Sequence, residues 1–552
     1  MNVRHADLVL TGGPVLTPDS RDPGAPGGAN TVAVTAGRVT AVGREEVLDL
    51  VGPSTRVVDL AGRLLLPGYQ DAHVHPVTAG LEMVHCDLTG AGTAEETVAA
   101  VAAYAAAHPD REWITGGGWS MEAFEGGAPH RAALDARVPD RPVYLPNCDH
   151  HGAWVNSRAL ELAGITRRTP DPADGRIERD ADGEPTGLLQ EGAMGLVGRL
   201  VPEPSPADLR AALLRAQRHL HALGITAWQD AIVGNFPGMP DVSAAYASLA
   251  REGALTARVV GALWWDRERG AEQIPELVER RAALSHGRFR ADTVKIMLDG
   301  IAETGTAAML DPYLDGCGCP TGNRGTSFVD ARRLPHYVTE LDAAGFQTHF
   351  HALGDRAVRD ALDAVEAARE ANGPSPNRPH LAHLQVVHPD DVPRFAALGA
   401  TANLQPLWAA HEPQMDELTI PFLGPERAGW QYPFGSLHRA GTVLAAGSDW
   451  PVSSPDPVLG LHVAVNRVLP GSSSPVFLPQ ERLDLRTAVT AYTAGSAYVN
   501  RLDDTGAVRP GALADLVVLD RDPFAGPPEG IHEARVVLTL VEGEAVHEAS
   551  SA

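Results

Sequence analysis

Eight short apolar runs, spread through the middle of the chain and separated by amphipathic or turn-rich stretches, restrict the fold more than any other feature. They are LLLPGYQDAHVH, GITAWQDA, TARVVGALWW, TVKIMLDG, FQTHFHALGD, HLAHLQVV, ATANLQP and TVLAAGSDW. Runs this apolar and this short belong to strands buried on both faces, which is the condition of parallel strands covered by helices. RRLPHYVTELDAAG and RAVRDALDAVEAAREANG, lying between such runs, carry the helical period. Eight strands is the number that closes a (β/α)8 barrel, so the expected fold class is α/β with a barrel over about residues 68–499.

The two ends of the chain read differently. ADLVLTGGPVL, NTVAVTAGRVTAVG and TRVVDLAGRLLLPG at the start, and GALADLVVLDRDPF and ARVVLTLVEGEAVHE at the end, are short Val/Leu/Thr runs broken by Gly and Pro. Residues 1–67 and 500–552 are therefore expected to pair into one small β-sandwich built from both termini. A long insertion, about 81–220, follows the first barrel strand and is expected to hold its own helices and turns. Within it RRTPDPADGRIERDADGEPTG reads as a loop with a hairpin.

A net charge of −25 argues against nucleic acid or an anionic membrane as partner. The expected partner is a small molecule, with a homo-oligomer admitted. MNVRHADLVLTGG lacks the apolar stretch of a signal peptide, and no run approaches a membrane span. Of the four cysteines, Cys317 and Cys319 in GCGCP are read as free thiols rather than a ligand pair. A reduced, cytoplasmic setting is expected.

The chemistry is concentrated at the ends of the apolar runs. The first carries His73 and His75, the fifth His349 and His351, the sixth His383 and the eighth Asp449. Alternate residues share a strand face, so His73 and His75 can meet one ion. Any one of these histidines is matched by a hydrogen-bonded barrel histidine, but the combination, drawn from several strand ends, makes a metal centre the stronger reading. The fourth run holds Lys295, the only lysine of the chain. An ammonium facing a barrel interior is costly, and a desolvated lysine, unlike arginine, can lose its proton. Two readings stand: pairing with Asp299 or another strand-end acid, or addition of carbon dioxide to give a carbamate that bridges two cations. Beside the His and Asp set the carbamate is favoured.

LLLPGYQDAHVHP, the lysine of VKIMLDG, HALGDRAV, HLQVV and GSDWPV, in that order, resemble the metal-dependent amidohydrolase superfamily. GGGW, HHGAWVNSRALELAGIT, GEPTGLLQEGA and GALADLVVLDRDP resemble its large-chain branch, amidohydrolase family 3. The resemblance implies a binuclear centre, commonly zinc: His73, His75 and Asp449 on the buried ion, carboxylated Lys295 as the bridge, and His351 and His383 on the second ion. His349 falls outside that pattern and is expected to stand behind the ligands. The implied reaction is hydrolysis of an amide-type C–N bond in a small molecule, an N-acyl or N-formyl amine or a cyclic amide, with Asp449 as general base and then acid. Deamination, lactone or ester hydrolysis and decarboxylation are the alternatives on the same barrel, and a non-catalytic metal-binding protein is the alternative outside catalysis. Trp119, His151 and Trp450 are the expected substrate contacts. Trp154, Trp408 and Glu191 are further candidates, and each tryptophan taken singly is more often a core residue, being a large apolar group.

Overall fold

The computed structural model describes residues 5–18, 24, 28–43, 47, 49–236 and 239–549. All eight apolar runs contribute strands to one parallel sheet: β1 (Tyr69–Val74), β2 (Ile225–Val233), β3 (Arg258–Trp264), β4 (Phe289–Met297), β5 (Gln347–Ala352), β6 (His380–His383), β7 (Thr401–Leu404) and β8 (Leu444–Ala446). They hydrogen-bond to one another in chain order, and the regular ladder stops between β8 and β1. That seam is closed by other bonds. The Asp449 N–H donates to the His73 carbonyl at 2.7 Å, and the His75 N–H to the Trp450 carbonyl at 2.8 Å. The Asp71 carboxylate, one turn of pleat behind His73, accepts from the Ser448 hydroxyl at 2.6 Å. The helices expected after β4 and β5 span Leu334–Ala343 and Asp355–Asn372.

LLLPGYQDAHVH reads as one strand but folds as two. Leu64–Pro67 leaves the barrel to pair with Leu516–Leu519, and β1 begins only at Tyr69. Gly68 is the break: a Cβ there would stand 2.5 Å from the Thr226 methyl.

The termini build two four-stranded sheets. One contains Leu8–Thr11, Thr31–Thr35, Arg38–Val42 and Arg56–Asp59; the other contains Leu64–Pro67, Leu516–Leu519, Val536–Val541 and Glu544–Glu548. Leu8, Val32 and Val34 of the first share one buried core with Leu65, Leu516 and Val518 of the second. The sandwich from both chain ends is thus a feature of the fold.

The insertion departs from expectation. It is organised by a six-stranded mixed sheet of Cys86–Asp87, Ile114–Gly117, Val143–Pro146, Gly152–Val155, Gly175–Arg179 and Pro185–Glu191. The expected hairpin is its last antiparallel pair. Most of these strands have four residues or fewer, too short for a periodic signal to emerge from sequence. Its buried Trp119, Leu145, Trp154 and Leu188 pack with Ile301, Ala307, Met309 and Tyr313 from the long connection after β4. That shared core seats the insertion over the carboxyl ends of the barrel strands. Among the described residues no helix is long and apolar enough to cross a membrane.

Candidate functional site

The strand ends expected to carry the chemistry converge. His73, His75, Lys295, His351, His383 and Asp449 all line one open cleft of about 800 Å³. Its other walls come from the insertion and from the connections after β2, β3 and β8.

His73 and His75 point the same way from β1, as alternate residues must. Their Nε2 atoms lie 3.1 and 3.0 Å from Asp449 Oδ1. That oxygen nevertheless has no hydrogen-bond partner, and His75 Nδ1 has none either. Three ligand atoms crowded together without hydrogen bonding among them is the arrangement a cation would resolve. Among the described residues this is the only close group of three or more such side chains. His383 adds a second mark: both its ring nitrogens are buried without a partner, and Nδ1 lies 3.8 Å from Asp449 Oδ2. The donor set, imidazoles and carboxylate, suits a borderline divalent ion. The residues present therefore fit a metal.

Protonation states agree with that fit. Burial, with Lys295 beside it, lowers His73 to about 3. Burial also holds His351 and His383 well below the usual imidazole range. Burial works to raise Asp449, but the adjacent His73, His75 and His383 hold it well below the carboxylate range. Neutral imidazoles and an ionised carboxylate are what ligation requires.

Three of the candidate ligands, His73, His351 and His383, are supported from behind. His349 Nε2 lies 2.9 Å from His73 Nδ1, so His349 supports a candidate ligand and is set apart from the cleft. Asp299 faces His351 Nδ1 at 3.3 Å while accepting from the backbone N–H groups of Ala308, Leu353 and Gly354. The Gln405 amide oxygen accepts from the backbone N–H of His383 at 2.7 Å, and Trp408 stacks on the His383 ring at 5.4 Å, nearly parallel. His383 and Asp449 both sit at positive φ, +80° and +57°. For residues with a Cβ such conformations persist only where the surroundings impose them.

Lys295 is buried, with Nζ 3.4 Å from His73 Nε2. Asp299 is occupied as described, so the strand-end pairing drawn from sequence is not formed. Among the described residues no carboxylate oxygen comes within salt-bridge reach of this amine. Burial lowers it to about 7, against the opposing pull of Asp449 and Asp230.

The insertion contributes His151 and Glu191, brought together by strand register. Gly152 pairs with Gln190, so the next residues outward are neighbours, and the Glu191 N–H donates to the His151 carbonyl at 3.0 Å. His151 Nδ1 lies 3.0 Å from both carboxylate oxygens of Glu191, and Oε1 also accepts from the Thr306 hydroxyl. Burial pulls His151 down, but Glu191 overrides it and raises His151 to about 9. The imidazole faces the His351 ring at 5.4 Å.

Two expected substrate contacts lie elsewhere. Trp119 is fully buried, donates its indole N–H to the Leu145 carbonyl at 2.8 Å and packs edge-on against Trp154 in the insertion core. Trp450 turns from the cleft to lie against His219 at 5.0 Å, and Val452 lines the cleft in its place. Sequence reasoning passed over Trp264, Phe236 and Arg267, which do line it. Trp264 is the penultimate residue of the run TARVVGALWW and the last of β3, and its place at a barrel strand end was the signal available.

Gly447 separates β8 from Asp449, and a Cβ there would stand 2.7 Å from the His73 N and Cβ. Gly447→Ala is expected to push His73 out of line and weaken metal affinity by about 10–100-fold, as changes behind a ligand do. Competition with a chromogenic chelator would check it; unchanged affinity would mean that His73 is not a ligand.

The family model described as "Amidohydrolase family" matches residues 56–547. The chain is 31% identical to the protein LONG AFTER FAR-RED 3 of Arabidopsis thaliana, over 98% of this chain and 92% of that one. It is 26% identical to the N-substituted formamide deformylase of Arthrobacter pascens, over 97% of each. Among solved structures, an uncharacterized metal-dependent hydrolase from Pyrococcus furiosus superposes with a TM-score of 0.70 at 26% identity, covering 94% of this chain and 99% of that one.

Proposed function

The chain belongs to the amidohydrolase family, as a metal-dependent hydrolase acting on carbon–nitrogen bonds, and from that premise we propose that it hydrolyses an N-acyl or N-formyl amine, or a cyclic amide, of small size. The observation that carries the reading is the shared cleft: six candidate ligands, with His73, His351 and His383 neutral and Asp449 ionised, open to a small molecule. The name of the Arthrobacter pascens relative supports the amide bond in particular.

In this reading His73, His75 and Asp449 would hold one divalent ion and His351 and His383 a second. Lys295, its neutral amine having added carbon dioxide and lost a proton, would supply a carboxylate ligand to the pair. Zinc suits the ligand types. Such ions, when bound, supply Lewis-acid polarisation of a carbonyl and a lowered pKa for water. The protein's own groups do the rest. Asp449 takes the proton of the attacking water and passes it to the leaving nitrogen, so that an amine departs rather than an amide anion. His151, held by Glu191 through Nδ1, presents Nε2 to the substrate carbonyl oxygen and fixes its direction.

A panel of N-formyl and N-acetyl amines, lactams, carboxylic esters and amino-heterocycles, run with and without chelator, tests the assignment. Chelator-sensitive turnover of the amides is expected. Turnover confined to esters or to an amino-heterocycle would replace the amide assignment.

A further inference from the structure

We propose that the cleft contains an aryl subsite, formed by Ile232, Phe236, Met239 and Trp264 at the mouths of β2 and β3, that takes an uncharged aromatic substituent of the substrate. The inference rests on the C–N hydrolase reading and names the substrate class for that same site.

The subsite is built rather than incidental. Ile232 lies near the end of β2, and the loop beyond it folds back through a bond from the Met239 N–H to the Phe236 carbonyl at 2.9 Å. Trp264 is the last residue of β3, and its ring meets Phe236 edge to face, 4.8 Å between centroids at 87°. Gly234 lies beneath, at φ +140°, where a Cβ would stand 3.2 Å from the Trp264 Cβ. Another residue at 234 would be strained at that φ and would crowd the Trp264 Cβ, so the glycine helps to keep the tryptophan in place. Phe236, Met239 and Trp264 are each half-buried. They line the same cleft as the candidate ligands, with Met297 beside them. Large apolar side chains left half-open beside a reactive centre gain their remaining burial when a ligand covers them. An edge-to-face aromatic pair flanked by thioethers suits a third ring, since both favour contact with aromatic edges and faces.

Charge argues for a neutral substituent. Arg267 is the only arginine among the described residues lining the cleft, and its guanidinium is already bonded to Asp174 and lies 4.3 Å over the Phe328 ring. The acids lining the cleft are Asp149, Glu191 and Asp449. The cationic His151 is likewise engaged, by Glu191, and Ile232, Phe236, Met239 and Trp264 carry no charge, so the subsite offers a substrate carboxylate no free cation.

Three matched amides isolate the two claims: N-formyl-2-phenylethylamine, N-formylethylamine without the ring, and N-formylphenylalanine with a carboxylate added. Stopped-flow tryptophan fluorescence of the metal-loaded protein reads binding before turnover, and formate release reads hydrolysis. The phenylethyl compound is expected to bind about tenfold or more tighter than either partner. Phe236→Ala and Trp264→Leu, made separately so that one poorly folded variant is not decisive, are each expected to shrink the advantage of the ring about fivefold. Equal binding with and without the ring, tightest binding of the carboxylate, or no binding of any of the three at millimolar concentration would overturn the subsite. Binding in the expected order without formate release would sink the amide assignment and leave the subsite standing. Release from all three with equal kcat/KM would do the reverse.

Discussion

Asp449→Asn is expected to lower kcat by about 10³–10⁴-fold while leaving the fold intact. Asparagine keeps the shape of the side chain and adopts positive φ more readily than most residues, so the backbone at φ +57° should persist. What is lost is the charge and the ability to carry a proton. The variant also changes a candidate ligand, so metal content and thermal melting must be measured alongside turnover. An inactive variant that keeps its metal isolates the proton-transfer role; one that loses metal shows the ligand role to be dominant. Near-normal rates would mean that Asp449 does neither.

Lys295→Ala should have an equally large effect by a different route. With carbon dioxide supplied as bicarbonate during purification, elemental analysis is expected to find about two metals per wild-type chain and clearly fewer in the variant. Lys295→Arg should not restore them, because a guanidinium stays protonated and cannot add carbon dioxide. The pH dependence has a definite sign. The buried amine sits near 7, so its neutral, reactive fraction grows as pH rises through that value. Metal loading in bicarbonate should therefore improve between about pH 6 and pH 8, a rise the alanine variant should lack, because burial already keeps His73, His351 and His383 neutral across that window. One metal in both proteins at every pH would make Lys295 an ordinary strand lysine and the centre mononuclear.

The barrel could be read in advance because its strands are buried on both faces and so are apolar without interruption, with polar residues only where the chain emerges at the mouth. His73, His75, His351, His383 and Asp449 stand out for that reason. Lys295 stands out further in a chain whose every other cationic side chain apart from histidine is arginine. The insertion hides its sheet because most of its strands have only two to four residues and leave no period to detect. The place of each tryptophan is hidden for a related reason: Trp119 and Trp264 are chemically identical, and only tertiary packing sends one into a core and the other to the cleft. The His151–Glu191 pair depends on the register between Gly152–Val155 and Pro185–Glu191, strands about 30 residues apart in sequence. Both residues could be noticed singly, but their contact could not be derived without the pairing. Likewise, no local signal distinguished Asp299 as the partner of His351 rather than of Lys295.

The seam between β8 and β1 is fastened by the peptide groups of His73, His75, Asp449 and Trp450, not by a continuation of the ladder. Three of those four residues are candidate ligands, so architecture and chemistry are inherited together here. A lineage of this enzyme drifting toward another ion, or toward none, could not shift the backbone that carries these side chains without disturbing the clasp that keeps the cylinder shut. Diversification is freer at the apolar rim and in the inserted sheet, where loops can be rebuilt with the hoop still fastened. The places where descendants vary should thus trace substrate history, while the clasp records common ancestry.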